Sequence, residues 1–269
     1  MTVGEALRGA TSELTAAEVP SPRVDAEHLL AHALGSTRTR LYADPDRALA
    51  NGELELLRAL VARRHRREPL AYVLGEWGFR RLTLRTDARA LVPRPETEVV
   101  VERCLALLHG LGPEPSVLDV GVGTGAIALA IADEFPAARV TAVDASADAL
   151  ALAAENAGLT GLEIELRTGG FEAAGERRWD LVVSNPPYVR PDEIESLEPE
   201  VRDWEPRAAL VGEGLHEELA RVARTRALVL EVADGQAPEV AGALEGLGYH
   251  GVRITRDLAG RERVVEGRR

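Results

Sequence analysis

Asn185, Pro186, Pro187 and Tyr188 follow an apolar run, Leu181-Val182-Val183, that stops at Ser184. Their residue types suit one kind of chemistry. An asparagine side chain offers an accepting oxygen and a donating NH₂. Proline has no N–H and a fixed φ, so Pro186 and Pro187 stiffen the loop and aim backbone carbonyls outward. Tyr188 adds a flat face with a polar tip. What fits such a site is a planar NH₂ group, an amide or an aromatic amine. The lone pair of such a nitrogen is delocalised, so it is a poor nucleophile. Accepting both of its N–H hydrogens, at the Asn185 side chain and the Pro186 carbonyl, would orient the nitrogen. It would also stabilise the positive charge that develops as the nitrogen attacks a sulfonium methyl. No base is needed beforehand, because the proton can leave after transfer.

A second stretch, "LDVGVGTGAIALA", follows an apolar strand pattern and opens a helical one. Gly121, Gly123 and Gly125 let backbone approach a ligand and take conformations that a Cβ forbids. Dinucleotide and S-adenosylmethionine sites both use such turns. Here the third glycine follows the second by two residues, so GxGxxG is not met, and a nicotinamide oxidoreductase is disfavoured. Asp119 stands just before the glycines, where a carboxylate can hold the ammonium of S-adenosylmethionine directly or through water. About twenty residues on, "VTAVDAS" ends at Asp144, placed to accept both ribose hydroxyls of an adenosine. Alone, Asp144 would read as a helix cap.

These residues need a scaffold, and the flanking pattern supplies one. From about residue 115, strand patterns ("SVLDVG", "ARVTAVDAS", "LEIELR", "WDLVVS", "RALVLEVA") alternate with helical ones ("AIALAIADEF", "ADALALAAENAG", "APEVAGALEGLG"). "YHGVRITRDLAGRERVVEG" reads as a closing hairpin. Such alternation implies an α/β fold, a mostly parallel sheet with helices on both faces. Ligands of such sheets bind beyond the carboxyl ends of strands, where Asp144 and Asn185 both fall. Residues 1–75 read as helical. Leu29, Leu30, Ala33 and Leu34 share a stripe ending at Gly35, and Asn51 is expected to cap a helix through "GELELLRALVARRHRR". "RRHRRE" reads as a solvated helix end, with a basic contact patch as the alternative. Between 76 and 92 the chain alternates through Leu82 and Leu84 and turns near Asp87-Ala88, a hairpin joining two domains. A helix then opens near Pro95.

Composition narrows the classes. The chain has 269 residues, 45% hydrophobic and 28% charged, enough for one large domain or two modest ones. No apolar stretch reaches the roughly 18 residues of a membrane span. The start, "MTVGEALRGATSEL", lacks the basic and apolar blocks of a secretory signal, so a cytoplasmic protein is expected. Cys104, the one cysteine, excludes an internal disulfide and sits in an apolar helical pattern as a structural thiol. No metal is expected. Every basic residue is arginine and the net charge is −12, which disfavours wide phosphate contact and stable nucleic-acid binding.

"EPLAYVLGEWGF", "LVPRPETE", "SNPPYV", "EPRAALVGEGL" and "DLAGRERVVEGR" occur in this order over nearly the whole chain. With them the chain resembles the protein-glutamine methyltransferases that act on bacterial class I peptide chain release factors. The resemblance implies a class I S-adenosylmethionine-dependent fold with a Rossmann-like, seven-stranded, mostly parallel sheet. It implies a helical substrate-recognition domain over 1–75, a β-hairpin linker over 76–93 and the methyltransferase domain over 94–269. The substrate would be the glutamine of the release factor's Gly-Gly-Gln loop, methylated on its side-chain amide nitrogen. By that match Asn185, Pro186, Pro187 and Tyr188 hold the amide and Phe79 walls the pocket. Arg94 and Glu98 lie near the cofactor, joined by Asp119, Gly121, Val122, Gly123, Gly125, Asp144, Gly170, Phe171 and Asn185. A monomer is expected. The chain departs from the family pattern in two places. Val122 stands where threonine is usual, and Gly169-Gly170 where an acidic and a bulky residue are common. An adenine-amine methyltransferase of DNA or RNA, with the base flipped into the pocket, is the alternative enzyme. A non-catalytic release-factor-binding relic is the alternative from another class.

Overall fold

The computed structural model describes all residues from 1 to 269. The chain divides into two compact units. The first holds Met1–Gly75 together with Glu198–Trp204, and the second holds Glu76–Leu197 and Glu205–Arg269.

The first unit is helical: α1 (Val3–Ala16), α2 (Pro22–Ala33), α3 (Arg38–Ala43), α4 (Asn51–His65) and α5 (Leu70–Leu74). In α1, Val3, Leu7, Ala10 and Leu14 fall on one buried face. Thr2 and Glu5 close a capping box at its start, worth about 1 kcal/mol. Helix α2 begins on Pro22 and is followed by Gly35 at φ +54°, which turns the chain out of the helix. Asn51 does not cap α4. Ala50 occupies that position, and the Glu53 carboxylate, paired with Arg47, accepts from the Ala50 N–H. A side chain from inside the first turn thus accepts from the cap residue, while no side chain caps the first-turn N–H groups.

The "RRHRRE" run is neither free nor merely solvated. Arg64 is buried, donating to Asp25 Oδ2 at 2.7 Å and to Glu200 Oε1 at 2.7 Å. Arg67 also donates to both oxygens of Glu200, and Arg63 pairs with Glu68. Burial alone would raise the Glu200 carboxyl, yet the Arg67 and Arg64 hydrogen bonds hold it below its ordinary pKa. The run therefore fastens Glu198–Trp204 into this unit.

The second unit opens on a hairpin, β1 (Glu76–Phe79) and β2 (Leu82–Arg85). Its turn lies at Arg80-Arg81, several residues before the expected Asp87-Ala88. Arg80 adopts φ +51°, and Glu134 and Glu98 hold it there. Asp87 instead accepts from the Arg89 N–H in a local turn. Then follow α6 (Thr97–Leu108), β3 (Ser116–Val120), α7 (Ala126–Glu134), β4 (Arg139–Asp144), α8 (Ala147–Thr160), β5 (Glu165–Thr168), α9 (Ala173–Glu176) and β6 (Trp179–Ser184). Beyond β6 come α10 (Pro199–Arg202, in the first unit), α11 (Arg207–Leu210), α12 (Leu215–Val222), β7 (Thr225–Glu231), α13 (Ala237–Gly246), β8 (His250–Arg256) and β9 (Glu262–Arg268).

The seven strands order as β5-β4-β3-β6-β7-β9-β8, with β9 antiparallel to both its neighbours and the rest parallel. The Val/Ile/Leu-rich strands are buried on both faces, as a parallel sheet requires. One face packs Val100, Cys104 and Leu129 against Val117, Val183 and Val229. The other packs Leu219, Ala237 and Leu244 against Leu118, Val182 and Leu230. Cys104 is fully buried, which pushes its thiol pKa well up and leaves it inert. Connections from β3 run to one side of the sheet and those from β6 to the other, so the order reverses between β3 and β6. That reversal is where an open α/β sheet binds its ligand. No helix is long and apolar enough to cross a membrane.

Candidate active site

Strands β3 and β6 pair in parallel with Val120 opposite Ser184. The next residues on each, Gly121 and Asn185, therefore leave the sheet side by side. Both line a cleft of about 320 Å³ at this end of the sheet, together with Val122, Gly123, Asp144, Gly170, Phe171 and Pro187. The two stretches whose residue types suggested chemistry thus share one cavity.

The glycine turn is shaped by sign of φ. Gly121, Gly123 and Gly125 all have positive φ, +85°, +53° and +88°. A Cβ on Gly125 would also stand 2.9 Å from Leu129 Cδ1 and 3.5 Å from Ala153 Cβ, so the glycine leaves room for the side chains of α7 and α8. The N–H groups of Gly121 and Val122 both donate to the Val143 carbonyl, while the Val122 side chain is buried in the core. At the end of β4, Asp144 accepts from Gly123 N–H at 3.1 Å and from Ser146 N–H at 2.9 Å. Its carboxylate faces the cleft, held by backbone.

Asp119 is 1% exposed. Its Oδ2 accepts from the Ala128 N–H, while Oδ1 has no partner. Burial pushes the carboxyl up to about 8, against the lowering Ala128 hydrogen bond and with Asp144 adding to the rise. An orphaned buried oxygen beneath a glycine turn, beside a cleft carrying a second carboxylate, fits a ligand with an ammonium and a ribose. S-adenosylmethionine has both. Gly169 and Gly170 line the cleft beside Phe171, and the Glu172 carboxylate accepts from the Gly170 N–H at 2.7 Å.

The acceptor loop is braced at each residue after Asn185. Pro186 is buried. Val189 pairs with Val211 in a short parallel bridge, and the Tyr188 carbonyl accepts from Gln236 Nε2 at 3.2 Å. Gly212 makes the close approach possible, since a Cβ there would stand 2.5 Å from the Pro187 carbonyl oxygen. Gly212→Ala is therefore expected to push the loop off Asn185. It should lower the unfolding free energy by ~1–3 kcal/mol in urea titrations and reduce methyl transfer more than cofactor binding.

Not every expected residue reaches the cleft: Asp119, Gly125 and Pro186 adjoin lining residues without lining it themselves. Phe79 is 1% exposed and packs in the sheet core with Leu84 and Val100, because the hairpin turns its apolar face inward. Glu98 braces the hairpin instead, its Oε1 accepting from the Arg80 N–H at 2.8 Å. Arg94 lines the cleft, but its guanidinium is committed to both oxygens of Glu205. Tyr188 lies on the far side of the loop, where it lines a neighbouring cavity and its hydroxyl donates to Glu231. Sequence reasoning missed Pro206, Ala208 and Ala209, which line the cleft, and the buried acids Glu205 and Glu231. The two acids had a signal, each lying directly against apolar residues, Glu231 after Leu228-Val229-Leu230 and Glu205 after Trp204. No cluster of His, Cys, Asp or Glu stands ready to hold a metal.

Among solved structures, the fold is similar to the hMettl16 catalytic domain, at TM-score 0.54 and 13% identity over 85% of this chain and 84% of that one. It is also similar to a methyltransferase from Pyrococcus furiosus, at TM-score 0.50 and 17% identity over 69% and 87%. These likenesses are of fold. A family model described as PrmC N-terminal domain matches residues 5–75, and one described as Methyltransferase small domain matches residues 103–197. Among curated relatives, a release factor glutamine methyltransferase of Deinococcus radiodurans is 41% identical over 100% of this chain and 99% of its own. Those of Geobacter sulfurreducens and Caulobacter vibrioides are 41% and 39% identical, covering 93% and 99% of this chain and 90% and 96% of theirs. Likeness of this depth, running over nearly the whole chain, shows that the chain belongs to the release factor glutamine methyltransferase family.

Proposed function

We propose that this chain transfers a methyl group from S-adenosylmethionine to the side-chain amide nitrogen of the glutamine in the Gly-Gly-Gln motif of class I peptide chain release factors. The observation that carries this reading is the shared cleft, where Asn185 and the glycine turn leave neighbouring strands side by side. The cofactor supplies, when bound, an electrophilic methyl group on a sulfonium. Asp144 would hold its ribose hydroxyls and Asp119 its ammonium, with Gly170 and Phe171 beside the adenine. The Asn185 side-chain oxygen and the Pro186 carbonyl accept the two hydrogens of the glutamine amide. That orients the nitrogen and favours the charge it gains, while the proton leaves to water afterwards.

Asp119 gives this reading a pH signature. Its folded-state pKa of about 8 lies above the ordinary carboxylate value. The free protein therefore loses stability as pH rises through the interval between those two values. At pH 7 Asp119 is mostly neutral, and a cation beside it restores the carboxylate. Cofactor binding should then release close to one proton at pH 7 and tighten toward pH 8. Calorimetry in two buffers of different ionisation heat checks this, and Asp119→Asn should remove the proton release.

The substrate class is tested with methyl-labelled cofactor offered to a purified class I release factor, to the same factor with its Gly-Gly-Gln glutamine replaced, and to DNA and RNA. Label on the intact factor alone is expected. Label on nucleic acid would favour the adenine-amine reading instead.

A further inference from the structure

Most buried acids of the second unit are paired. Glu205 meets Arg94, Glu266 meets Arg103, and Asp257 meets Arg261 and Arg263. Two carboxylates keep a buried oxygen without a partner, Asp119 and Glu231. Asp119 lies under the glycine turn. Glu231 has no such assignment. It is 1% exposed, and a buried carboxylate oxygen without a partner is costly enough to need a reason.

Its place supplies one. Strand β7 pairs with β6 so that Leu230 stands opposite Ser184. Glu231 is thus the neighbour of Asn185 at the carboxyl end of the sheet. Val183 and Val229, two residues earlier on each strand, share one packed face, and strand alternation puts Asn185 and Glu231 on that same face. There the Tyr188 hydroxyl donates to Glu231 Oε1 at 3.4 Å, a long hydrogen bond. The Tyr188 carbonyl is already fixed by Gln236. Glu231 therefore secures the other end of the same residue. It is itself tethered, since Thr97, which lines the cleft, hydrogen-bonds its carboxylate and His216 Nε2 lies 2.8 Å from its carbonyl oxygen.

We propose that Glu231 is a positioning residue for methyl transfer: its carboxylate anchors the Tyr188 hydroxyl from behind and so fixes the loop that carries Asn185 and Pro186. The inference rests on the reading of Asn185 to Tyr188 given above. A charged acceptor holds a phenol more tightly than a neutral one. Burial raises the Glu231 carboxyl to about 7, opposed by Thr97, the Arg263 cation and Tyr188, while Glu96 adds to the rise. The grip on Tyr188 is then present above about pH 7 and weakens below it.

The test compares kcat with release factor for the wild type, Glu231→Gln, Glu231→Ala, Tyr188→Phe and the Glu231→Ala/Tyr188→Phe pair, with cofactor affinity measured for each. Glu231→Ala and Tyr188→Phe should each lower kcat about tenfold with cofactor affinity unchanged, and the pair should lose no more than either alone. Wild-type kcat should fall on the acid side of about pH 7. Glu231→Gln, a neutral acceptor, should give a flat profile at the level the wild type reaches in acid. Wild-type kcat in Glu231→Ala, or losses that multiply in the pair, would overturn the inference. Asn185→Ala run alongside separates the two readings. If it is dead while the Glu231 variants are normal, only the role of Glu231 fails. If it is fully active, the site itself has been misplaced.

Discussion

Replacing Asn185 with alanine is expected to lower the rate of methyl transfer by about 10³-fold while the protein still binds S-adenosylmethionine. The asymmetry follows from placement. Asn185 leaves β6 beside the glycine turn, but the turn's own shape is set by Gly121, Gly123 and Gly125 and by Asp144, none of which depends on the asparagine side chain. On the proposed mechanism, alanine removes one of the two acceptors for the substrate nitrogen. The amide would then be free to rotate, and its developing charge would meet a methyl group instead of a dipole. Single-turnover kinetics report the chemical step, and calorimetry reports the cofactor. Equal losses in both would mean that Asn185 serves cofactor binding rather than transfer.

The second large effect concerns stability. Arg64→Ala should destabilise the first unit by ~3–5 kcal/mol, read as an earlier urea or thermal transition. Arg64 is 4% exposed and serves two buried carboxylates, Asp25 and Glu200, as well as the Glu68 carbonyl. Glu200 keeps Arg67, but Asp25 loses its only ion-pair partner. A buried carboxylate without a cation must be protonated or drag water inward, and either weakens the unit. A methionine at position 64 with asparagine at 25 and glutamine at 200 should recover part of the loss, because no charge is then stranded.

How far the sequence carried the reading depends on how local each signal is. The parallel sheet was legible because Val/Ile/Leu strands alternate with helical periods over the second half of the chain. Gly121 to Gly125 and Asn185 to Tyr188 were legible because glycine and proline restrict backbone in ways that single residues announce. The cleft's third wall was not, since Pro206, Ala208 and Ala209 carry no chemistry of their own and reach it only through tertiary packing. Glu198–Trp204 reads as an unremarkable acidic loop. Its membership of the helical unit comes from Glu200 meeting Arg64 and Arg67, more than 130 positions earlier. Phe79 misled in the opposite sense. An aromatic in a hairpin looks available, yet the turn at Arg80-Arg81 directs it into the core. Asn51 failed as a cap because the helix starts at Asn51 itself, with Ala50 in the cap position and its N–H taken by Glu53. In each case a partner distant in sequence, or a competitor close by, outweighed local preference.

The central claim is that the cleft presents a glutamine side-chain amide to the cofactor's methyl group. The most direct measurement is tandem mass spectrometry of the release factor after reaction, with fragments read across its Gly-Gly-Gln segment, followed by acid hydrolysis. One added methyl confined to that glutamine, released as methylamine on hydrolysis, is the predicted result. A methyl on any other residue, or none from a protein that binds the cofactor, would contradict the account.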